Sequence, residues 1–506
     1  MRLRVVIAIL AGALFIRSDF VAPEDASIPG GECTTAVIAG FATANGRPLL
    51  WKNRDVSQPH QEIVYFDDGI YPYVTIANAG DSTQAWGGVN STGFAVEDAN
   101  NWNTPDTVAG PEDDGTIIKL ALRTCRTVAD FQRLLDSTSI AGHTQPAIFG
   151  VIDAEGGAAM FETFAHSYIR YDASDPEAAP LGVLVRSNFS YAGSASGRIG
   201  VYRHDRSLEL IEAAVQGDSL TAKYICRTVA RDLRTDENFD PYPLPFEGFQ
   251  GGLPRGWIST WGATCRRLTV SACVVEGVLP GENPLLSTLW AFPMAVQYGV
   301  ALPFWVAAEQ TPPEVNSDST GPLCDIGLRI KTIAQHAEGF HDTLDTYILD
   351  NGVGGGIHAT TFPLEDTIFA RTEARLALWR DTTILTRWDM ARLSAGLARM
   401  AYDSLVNWPG PGDLIASPRA PQNVTAYFVP GAGLRLRWEA VTEDTLGAPI
   451  TPEAYAILKK DSTDGEWQQE EIVAGTFTEY AIPTAWLPEK RFYCVKAMIE
   501  EQSRLR

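Results

Sequence analysis

The sequence predicts a mixed α+β domain followed by a smaller all-β domain. Strand-like segments come in runs and helical segments come in runs, which is typical of α+β folds. The chain has 506 residues, too many for one ordinary core. A composition break, "WPGPGDLIASPRAP", falls at 408–421. We therefore predict a leader over 1–32, a main domain over 33–410 and a β-sandwich over 418–506.

The first part of the main domain reads as strands and turns. An apolar run from Thr34 to Ala42 predicts a buried strand. Asn45-Gly46 then predicts a hairpin turn, and a return strand begins at Leu49. Further strands are predicted at the following stretches: 61–66, 71–77, and the two halves of 86–103 around a turn at 90–93.

Helical periodicity begins after this first run of strands. Apolar residues recur at three- and four-residue steps over 116–137, which predicts two helices broken near Thr127. A hairpin turning at 153–157 follows, and then a strand in "GVLVRSNFSYAG". Two further helical stretches are predicted at 206–233 and 366–406. The apolar segment 285–307 carries three prolines, which favours buried strand and turn over a membrane span.

Short alternating strands dominate the last 86 or so residues, as in "LRLRWEAV" and "RFYCVKAM". This order of segments resembles a fibronectin type III domain. Trp438 matches the core tryptophan of that family, and Tyr493 matches its corner tyrosine. The resemblance implies a module without chemistry of its own, suited to contact with a surface, a polysaccharide or a protein.

The net charge and the N-terminal leader restrict the expected location of the protein and its expected partners. The formal net charge of −22 makes an acidic surface that repels phosphate backbones, so no nucleic-acid partner is expected. A basic start, Met1–Arg4, precedes a 12-residue apolar run, Val5–Ile16, too short to span a bilayer. This pattern predicts export, secreted or periplasmic, without a transmembrane anchor. The competing interpretation is a disordered tail.

The seven cysteines do not form a metal or redox motif. No C-x-x-C pair occurs, and His336 and His341 around Glu338 do not match H-E-x-x-H. The glycine-rich "NGVGGGIH" at 351–358 lacks the phosphate-loop pattern. We expect no metal and no cofactor. Because seven is odd, at least one thiol stays unpaired within the chain, and the pairing of the others is left open.

Cys33 is the candidate nucleophile. No histidine lies in a setting that marks it as a papain-type partner. If the chain is cut before Cys33, its own α-amine lies within one residue of the thiol. An α-amine titrates near pH ~8 and can take up the thiol proton, directly or through a water. Taken alone, Cys33 could instead have a purely structural role, as a small core residue or as half of a disulfide.

The segment "ECTTAVIAG…NGRPLLWKNRD" resembles the start of the cysteine N-terminal nucleophile hydrolases. These include the choloylglycine hydrolases and penicillin V acylases, and the penicillin acyltransferase and carcinine hydrolase-like group is the closer match. The resemblance runs over about 33–230. It implies a four-layer αββα sandwich that cleaves a linear, non-peptide C–N amide bond in a small-molecule substrate through a thioester, by hydrolysis or acyl transfer.

The resemblance also implies site residues. Asp55 matches the family aspartate that holds the α-amine. The family usually has arginine where this chain has Lys52, while an arginine follows at Arg54. Lysine is a point charge and not a planar fork, so which of the two faces the site is left open.

Three more positions follow from the same resemblance. After the turn "NSTG" at 90–93, Asn100 matches the family oxyanion donor, with Asn101 as its alternative. Asn188 in "VRSNFSY" matches a further asparagine. Arg203 or Arg206 matches an arginine near the next helix start, with Arg198 competing. The turn also fits Asn-x-Thr, a surface glycosylation acceptor in some hosts.

Two other functions remain open at this point. One is a dipeptidase-like enzyme of the same class, because "CTT" and a similar cluster also begin such enzymes. The other is a secreted binding or adhesion protein that keeps the fold without turnover, an interpretation favoured by the fibronectin-like module. A mature chain that begins at Cys33 favours an enzyme, and a chain that retains Glu32 favours the binding protein.

Overall fold

A computed structural model describes residues 31–104, 106–111, 113–251, 253–317, 320–335, 342–352, 354–381, 387–410, 421–429, 433–442, 451–452, 454–460, 468–482 and 492–498. Contacts divide the chain into two compact units, Ser27–Pro411 and a second that holds Gly412–Arg506. The predicted signal peptide and nearly all of the predicted propeptide lie outside the described residues, and so do residues 411–420 of the composition break at 408–421.

Strands and helices of the larger unit follow one another in runs. Its strands are β1 (Glu32–Ile38), β2 (Leu49–Asp55), β3 (Gln61–Phe66), β4 (Tyr73–Asn78), β5 (Gly88–Asn90), β6 (Ala95–Asn100), β7 (Ala147–Ile152), β8 (Ala158–Thr163), β9 (Tyr168–Asp172), β10 (Val183–Arg186), β11 (Trp257–Ser259), β12 (Thr269–Glu276), β13 (Thr288–Phe292), β14 (Leu302–Phe304) and β15 (Thr343–Asp345). Its α-helices are α1 (Asp114–Thr124), α2 (Val128–Ala141), α3 (Val201–Gln216), α4 (Ala222–Tyr224), α5 (Pro322–Ala334), α6 (Thr346–Leu349), α7 (Ile357–Arg380) and α8 (Arg387–Val406).

Two large antiparallel sheets organise this unit. The first has six strands in the order β10-β1-β2-β12-β13-β14, and the second has seven in the order β3-β4-β5-β6-β7-β8-β9. A side chain added at Gly150 of the second sheet would collide with Val37 and Leu50 of the first, within 3.0 Å. The two sheets therefore approach each other closely at this point, and the glycine makes room for the contact.

Helices α1 and α2 cover the second sheet through a buried apolar cluster. Phe131 of α2 packs edge-on against Phe149 and Phe161, with ring centroids 5.5 and 5.3 Å apart. Apolar residues at helical spacing form this contact, as the periodicity of 116–137 predicts. Thr127 caps α2, because its side chain accepts from the Asp130 amide while the Asp130 carboxylate accepts from the Thr127 amide.

Most predicted elements of the larger unit are confirmed. The hairpin of β1 and β2 turns through Gly46, whose φ of 76° suits glycine. The stretch 285–307 folds as β13 and β14 with turns between them. The late helical block differs at its start: α7 begins at Ile357 and carries Pro363 inside it, nine residues before the predicted start.

The second unit contains two three-stranded sheets. Its strands are β16 (Thr425–Val429), β17 (Gly433–Arg437), β18 (Ala454–Lys460), β19 (Gln468–Ala474), β20 (Glu479–Ala481) and β21 (Phe492–Met498), in the orders β16-β17-β20 and β19-β18-β21. Trp438 and Tyr493 share one buried cluster with Tyr455. The fibronectin type III assignment of this unit stays a prediction.

Two findings concern the expected lack of a membrane span and the pairing of the cysteines. Within the described ranges, none of the helices is both long and apolar enough to cross a membrane. All seven cysteines are free thiols, and six of them are buried. Cys33 is therefore not half of a disulfide in this structure.

Candidate active site

Cys33 lies on β1, where strand alternation separates its neighbours into two groups. The register of β1 and β2 pairs Cys33 with Arg54, Thr35 with Lys52, and Glu32 with Asp55. Because paired residues share a face and successive residues alternate, Cys33 shares its face with Lys52 and Arg54. Asp55 and Glu32 lie on the opposite face. We call the two sides the thiol face and the carboxylate face.

Lys52 meets a carboxylate of the second sheet on the thiol face. Its Nζ lies 2.5 Å from Oδ1 of Asp98 on β6, and both side chains are almost fully buried. Burial disfavours the charged lysine, but Asp98, Cys33 and Glu97 together outweigh it and hold the pKa of Lys52 above its ordinary value. Lys52 therefore stays charged close to Cys33.

Arg54 also lies on the thiol face, but its guanidinium is engaged elsewhere. It donates to Oε1 of Gln61 at 2.7 Å and to Oδ1 of Asn78 at 3.0 Å, and it lies 4.3 Å from the ring centre of Trp86. Burial lowers the pKa of Arg54 to about 10. Both cations thus share the thiol face, and Lys52 is the one that pairs with a carboxylate there.

The thiol itself is 5% exposed. Burial raises the pKa of Cys33 to about 11, and the nearby charge of Lys52 opposes that rise. At neutral pH the thiol of the intact chain is therefore protonated. A base has to take up its proton before it can attack a carbonyl.

Asp55 is the centre of the carboxylate face, where it is fully buried. Its Oδ2 accepts from Nε of Arg266 at 2.8 Å and from Nη1 of Arg203 at 3.2 Å, and its Oδ1 accepts from Thr269 at 2.6 Å. Arg203 lies in the first turn of α3, near the helix start where the resemblance implies an arginine. Arg266 and Thr269 carry no local sequence signal, and the sequence analysis missed them.

Glu32, the residue before Cys33, joins the same cluster. Its Oε2 accepts from Nη2 of Arg203 at 2.8 Å and from Nη2 of Arg266 at 2.7 Å. Its side chain is only 8% exposed. Two carboxylates and two guanidiniums therefore meet around the backbone of Cys33, and Arg203 also donates to the Cys33 carbonyl at 3.2 Å.

Asn188 holds the backbone nitrogen of Cys33. Its Oδ1 accepts from that nitrogen at 2.9 Å and from Nη2 of Arg203 at 3.0 Å. Its Nδ2 donates to the carbonyl of Asn100 at 3.0 Å. Asn188 thus connects three predicted site residues that lie far apart in the chain.

Asn100 reaches the chain just before Cys33. Its Nδ2 donates to the carbonyl of Gly31 at 3.1 Å, one peptide unit upstream of the Glu32–Cys33 bond. The alternative, Asn101, donates instead to the carbonyl of Thr163 at 3.2 Å. Of the two asparagines, Asn100 is therefore the one whose amide points to this segment.

Two of the three competing arginines lie outside the cluster. Arg206 pairs with Asp232 at 3.2 Å and with Glu209 at 2.8 Å. Arg198 lies 5.0 Å from the ring centre of Phe189. Of these three arginines, Arg203 is the one that contacts Asp55.

The turn at 90–93 has a structural role. Asn90 is buried, and its Nδ2 donates to the carbonyls of Leu122 and Cys125 at 2.9 and 2.7 Å. The interpretation of Asn90 as a surface glycosylation acceptor is therefore wrong. In the described part of the chain, no group of three or more His, Cys, Asp or Glu side chains is arranged to hold a metal ion.

One family matches part of the chain. It is described as acyl-coenzyme A:6-aminopenicillanic acid acyl-transferase, and it matches residues 42–188, less than a third of the sequence. The match contains Lys52, Asp55, Asn100 and Asn188, and it begins after Cys33. It bears out the prediction of an enzyme of the hydrolase and acyltransferase kind that acts on amides.

Solved structures give weaker similarities. A variant of the conjugated bile acid hydrolase from Clostridium perfringens is 12% identical, with a TM-score of 0.32 over 51% of this chain and 88% of that one. The penicillin V acylase from Agrobacterium tumefaciens is also 12% identical, with a TM-score of 0.33 over 54% and 85%. No curated protein sequence matches the chain.

Proposed function

We propose that this chain is an exported cysteine N-terminal nucleophile amidohydrolase that acts on linear N-acyl amines. Its larger unit takes the αββα arrangement of that class, and its second unit is a fibronectin type III-like module. Residues up to Glu32 are removed, so Cys33 becomes the first residue. Hydrolysis is the default outcome, and transfer to a second amine is the variant.

The observation that carries this proposal is the environment of the Cys33 nitrogen. Asn188 accepts a hydrogen bond from it, and Arg203 links Asn188 to Asp55. If the bond to Glu32 is broken, this nitrogen becomes an α-amine with its acceptor already in place. Burial raises the pKa of the thiol in the intact chain to about 11, so the thiol needs a base, and an α-amine that titrates near pH ~8 is partly neutral at neutral pH and can accept a proton. Processing therefore supplies the base that the thiol lacks.

The reaction then proceeds through a thioester. The α-amine accepts the thiol proton, and the sulfur adds to the carbonyl carbon of the substrate amide. Asn100, released from the Gly31 carbonyl, donates to the oxyanion. The C–N bond breaks as the α-ammonium gives its proton to the departing amine. Water, activated by the same α-amine, hydrolyses the thioester and releases the acid.

Intact mass measurement tests the first step. The purified mature protein should begin at Cys33, and the Cys33→Ala variant should keep the upstream residues if the chain cleaves itself. A wild-type chain that retains Glu32 and never forms an adduct would favour a binding protein instead.

Acyl trapping tests the second step. The processed chain is soaked with a panel of N-acyl amines and dipeptides and quenched in acid, and the mass added to Cys33 is measured, with Cys33→Ala as control. We expect the acyl mass on Cys33 from an N-acyl amine. Turnover of dipeptides alone would indicate the dipeptidase-like alternative.

A further inference from the structure

The positive and negative charges on the carboxylate face balance only while Glu32 is present. Arg203 and Arg266 each contact both Glu32 and Asp55, so two guanidiniums balance two carboxylates in a buried cluster. Removal of residues up to Glu32, which the proposed function requires, takes away one of the two carboxylates. The two buried arginines are then left with Asp55 alone.

An unbalanced buried cation is unfavourable, because the protein interior screens charge poorly. Arg203 and Arg266 remain held by Asp55, so their Nη2 groups still point to the position that Oε2 of Glu32 leaves. A preformed pair of donors aimed at one position is a site for a carboxylate. The processed site therefore lacks an anion that the unprocessed chain provides from its own sequence.

Glu32 also defines the spacing of that anion from the reacting carbon. The carbonyl of Glu32 is the acyl group of the bond to Cys33, and three carbons separate it from the side-chain carboxylate. We propose that the processed enzyme prefers amides whose acyl group carries a carboxylate at this spacing, which are glutaryl and α-glutamyl amides. The inference rests on the proposed function and adds the substrate class to it.

One neighbouring feature fits such an acyl group. Asn100 donates to the carbonyl of Gly31, the position that an acylamino group on the α-carbon of a glutamyl substrate would take. The Asn100 amide carries two hydrogens, so one can bind this group while the other donates to the oxyanion. The cavity beside the cluster, lined by Arg266, Thr269 and Lys331 among others, has room for about one water and does not itself hold the acyl group.

The chemistry balances without a further reactant besides water. The Cys33 sulfur adds to the glutaryl carbonyl carbon, the C–N bond breaks, and the α-ammonium protonates the departing amine. Water then cleaves the thioester and releases glutarate with a free thiol. The distal carboxylate takes no part in these bonds, and it positions the acyl group against Arg203 and Arg266.

A matched pair of substrates tests the preference. The processed chain is assayed with glutaryl and pentanoyl p-nitroanilides, which differ only in the terminal carboxylate, and with the succinyl and adipyl compounds as controls of spacing. We expect kcat/KM for glutaryl to exceed that for pentanoyl by about tenfold or more, as one charge-assisted hydrogen bond provides. Succinyl and adipyl amides should fall below glutaryl.

The arginine dependence is measured as the ratio of the two rates. Arg266→Gln should bring the ratio of glutaryl to pentanoyl kcat/KM close to one, even where both rates drop. Arg206→Gln is the matched control, because Arg206 pairs with Asp232 and Glu209 away from the cluster. It should leave the ratio unchanged. A ratio near one in the wild type, or a ratio unaffected by Arg266→Gln, would overturn the inference.

Binding separates this inference from the proposed function. Titration calorimetry compares glutarate and pentanoate binding to the processed chain, with Arg266→Gln alongside. Tighter binding of glutarate that is lost in Arg266→Gln supports the carboxylate site, even if no amide is hydrolysed and the proposed function fails. Equal binding of the two acids, or no binding of glutarate, overturns the site even if neutral amides are hydrolysed and acylate Cys33.

Discussion

Two buried glutamates in this protein are held in nearly the same way. Glu32 accepts from Arg203 and Arg266 at 2.8 and 2.7 Å, and Glu365 pairs with Arg227 and Arg231, each at 2.9 Å. Glu365 is fully buried, and the amide of Ala301 also donates to it at 3.1 Å. Burial and two arginines are common to both.

The difference lies in the backbone that carries each glutamate. Glu365 lies inside α7, a 24-residue helix, so its pairing is a permanent link between α7 and the segment 227–231. Glu32 immediately precedes the candidate nucleophile, and the proposed processing removes it. A buried ion pair therefore does not by itself identify function, and its position relative to a bond that breaks is what distinguishes the two.

The largest expected effect falls on the permanent pair. Glu365→Gln leaves the buried guanidinium of Arg231 without a balancing charge and leaves the partly exposed Arg227 with Asp366 alone, so the free energy of unfolding should fall by about 3 to 5 kcal/mol. Urea unfolding followed by tryptophan fluorescence measures the loss. Asp366→Asn is the control, because that half-exposed carboxylate pairs at the surface and should cost less than about 1 kcal/mol. Equal losses in the two variants would contradict the distinction.

The next effect concerns catalysis at the candidate active site. Asn100→Ala should lower kcat by about 10²- to 10³-fold, because it removes one donor to the oxyanion. The acylation rate of Cys33 by an N-acyl amine measures it. Asn101→Ala removes a donor that bonds Thr163 instead, so its kcat should change much less. A larger loss in Asn101→Ala would exchange the roles of the two residues.

A smaller expected effect distinguishes Glu32, which processing removes, from Glu365, which stays in the chain. In a Cys33→Ala background that keeps the upstream chain, Glu32→Gln should lower the free energy of unfolding by about 1.5 to 3 kcal/mol, because it weakens charged hydrogen bonds. In the Cys33 chain, wild-type and Glu32→Gln proteins should have identical mature masses and rates, since residue 32 is absent from both. Different rates in the mature proteins would show that Glu32 is retained.

The smallest expected effect is a pH dependence of the free energy of unfolding, caused by His358 beside the arginines that pair with Glu365. Burial, with Arg231 and Arg227 nearby, lowers the pKa of His358 to about 3. Unfolded histidine titrates near pH ~6.5, so below that pH the unfolded state binds a proton that the folded state excludes. Above pH ~6.5 the protonation of His358 does not reduce the free energy of unfolding. Below that pH it should reduce the free energy of unfolding by up to about 1.4 kcal/mol per pH unit.

Matched variants isolate this contribution. Unfolding is compared between pH 6.5 and 5 for the wild type, for His358→Gln and for His166→Gln, which alters an exposed histidine. His358→Gln should reduce the slope, and His166→Gln should keep it. A wild-type slope in His358→Gln would show that other groups cause the acid sensitivity.

Local patterns predicted much of this fold. The periodicity of 116–137 predicted α1 and α2 with a break near Thr127, because a helix face and a capping residue are properties of neighbouring positions. Asn45-Gly46 likewise predicted the hairpin of β1 and β2. The start of α7 was misplaced, because Pro363 resembles a helix boundary and the structure accommodates it inside the helix.

The sequence predicted only some of the residues that form the candidate site. Order and spacing grouped Cys33 with Asp55, Asn100 and Asn188, and the structure places these residues in one hydrogen-bonded network with Arg203. Arg266 follows Asp55 by 211 residues and belongs to no motif, so no pattern indicated it. Asp98, the partner of Lys52, was missed for the same reason.

The sequence by itself predicted the strands and the helices, because periodicity and turn residues act over a few tens of residues, and its resemblance to a known family predicted the thiol with its amide and carboxylate companions. Only the tertiary structure decided which cations surround Asp55 and that Glu32 completes their charge. Coulomb forces and hydrogen bonds depend on distance in space, and the packing of separate strands and helices sets that distance.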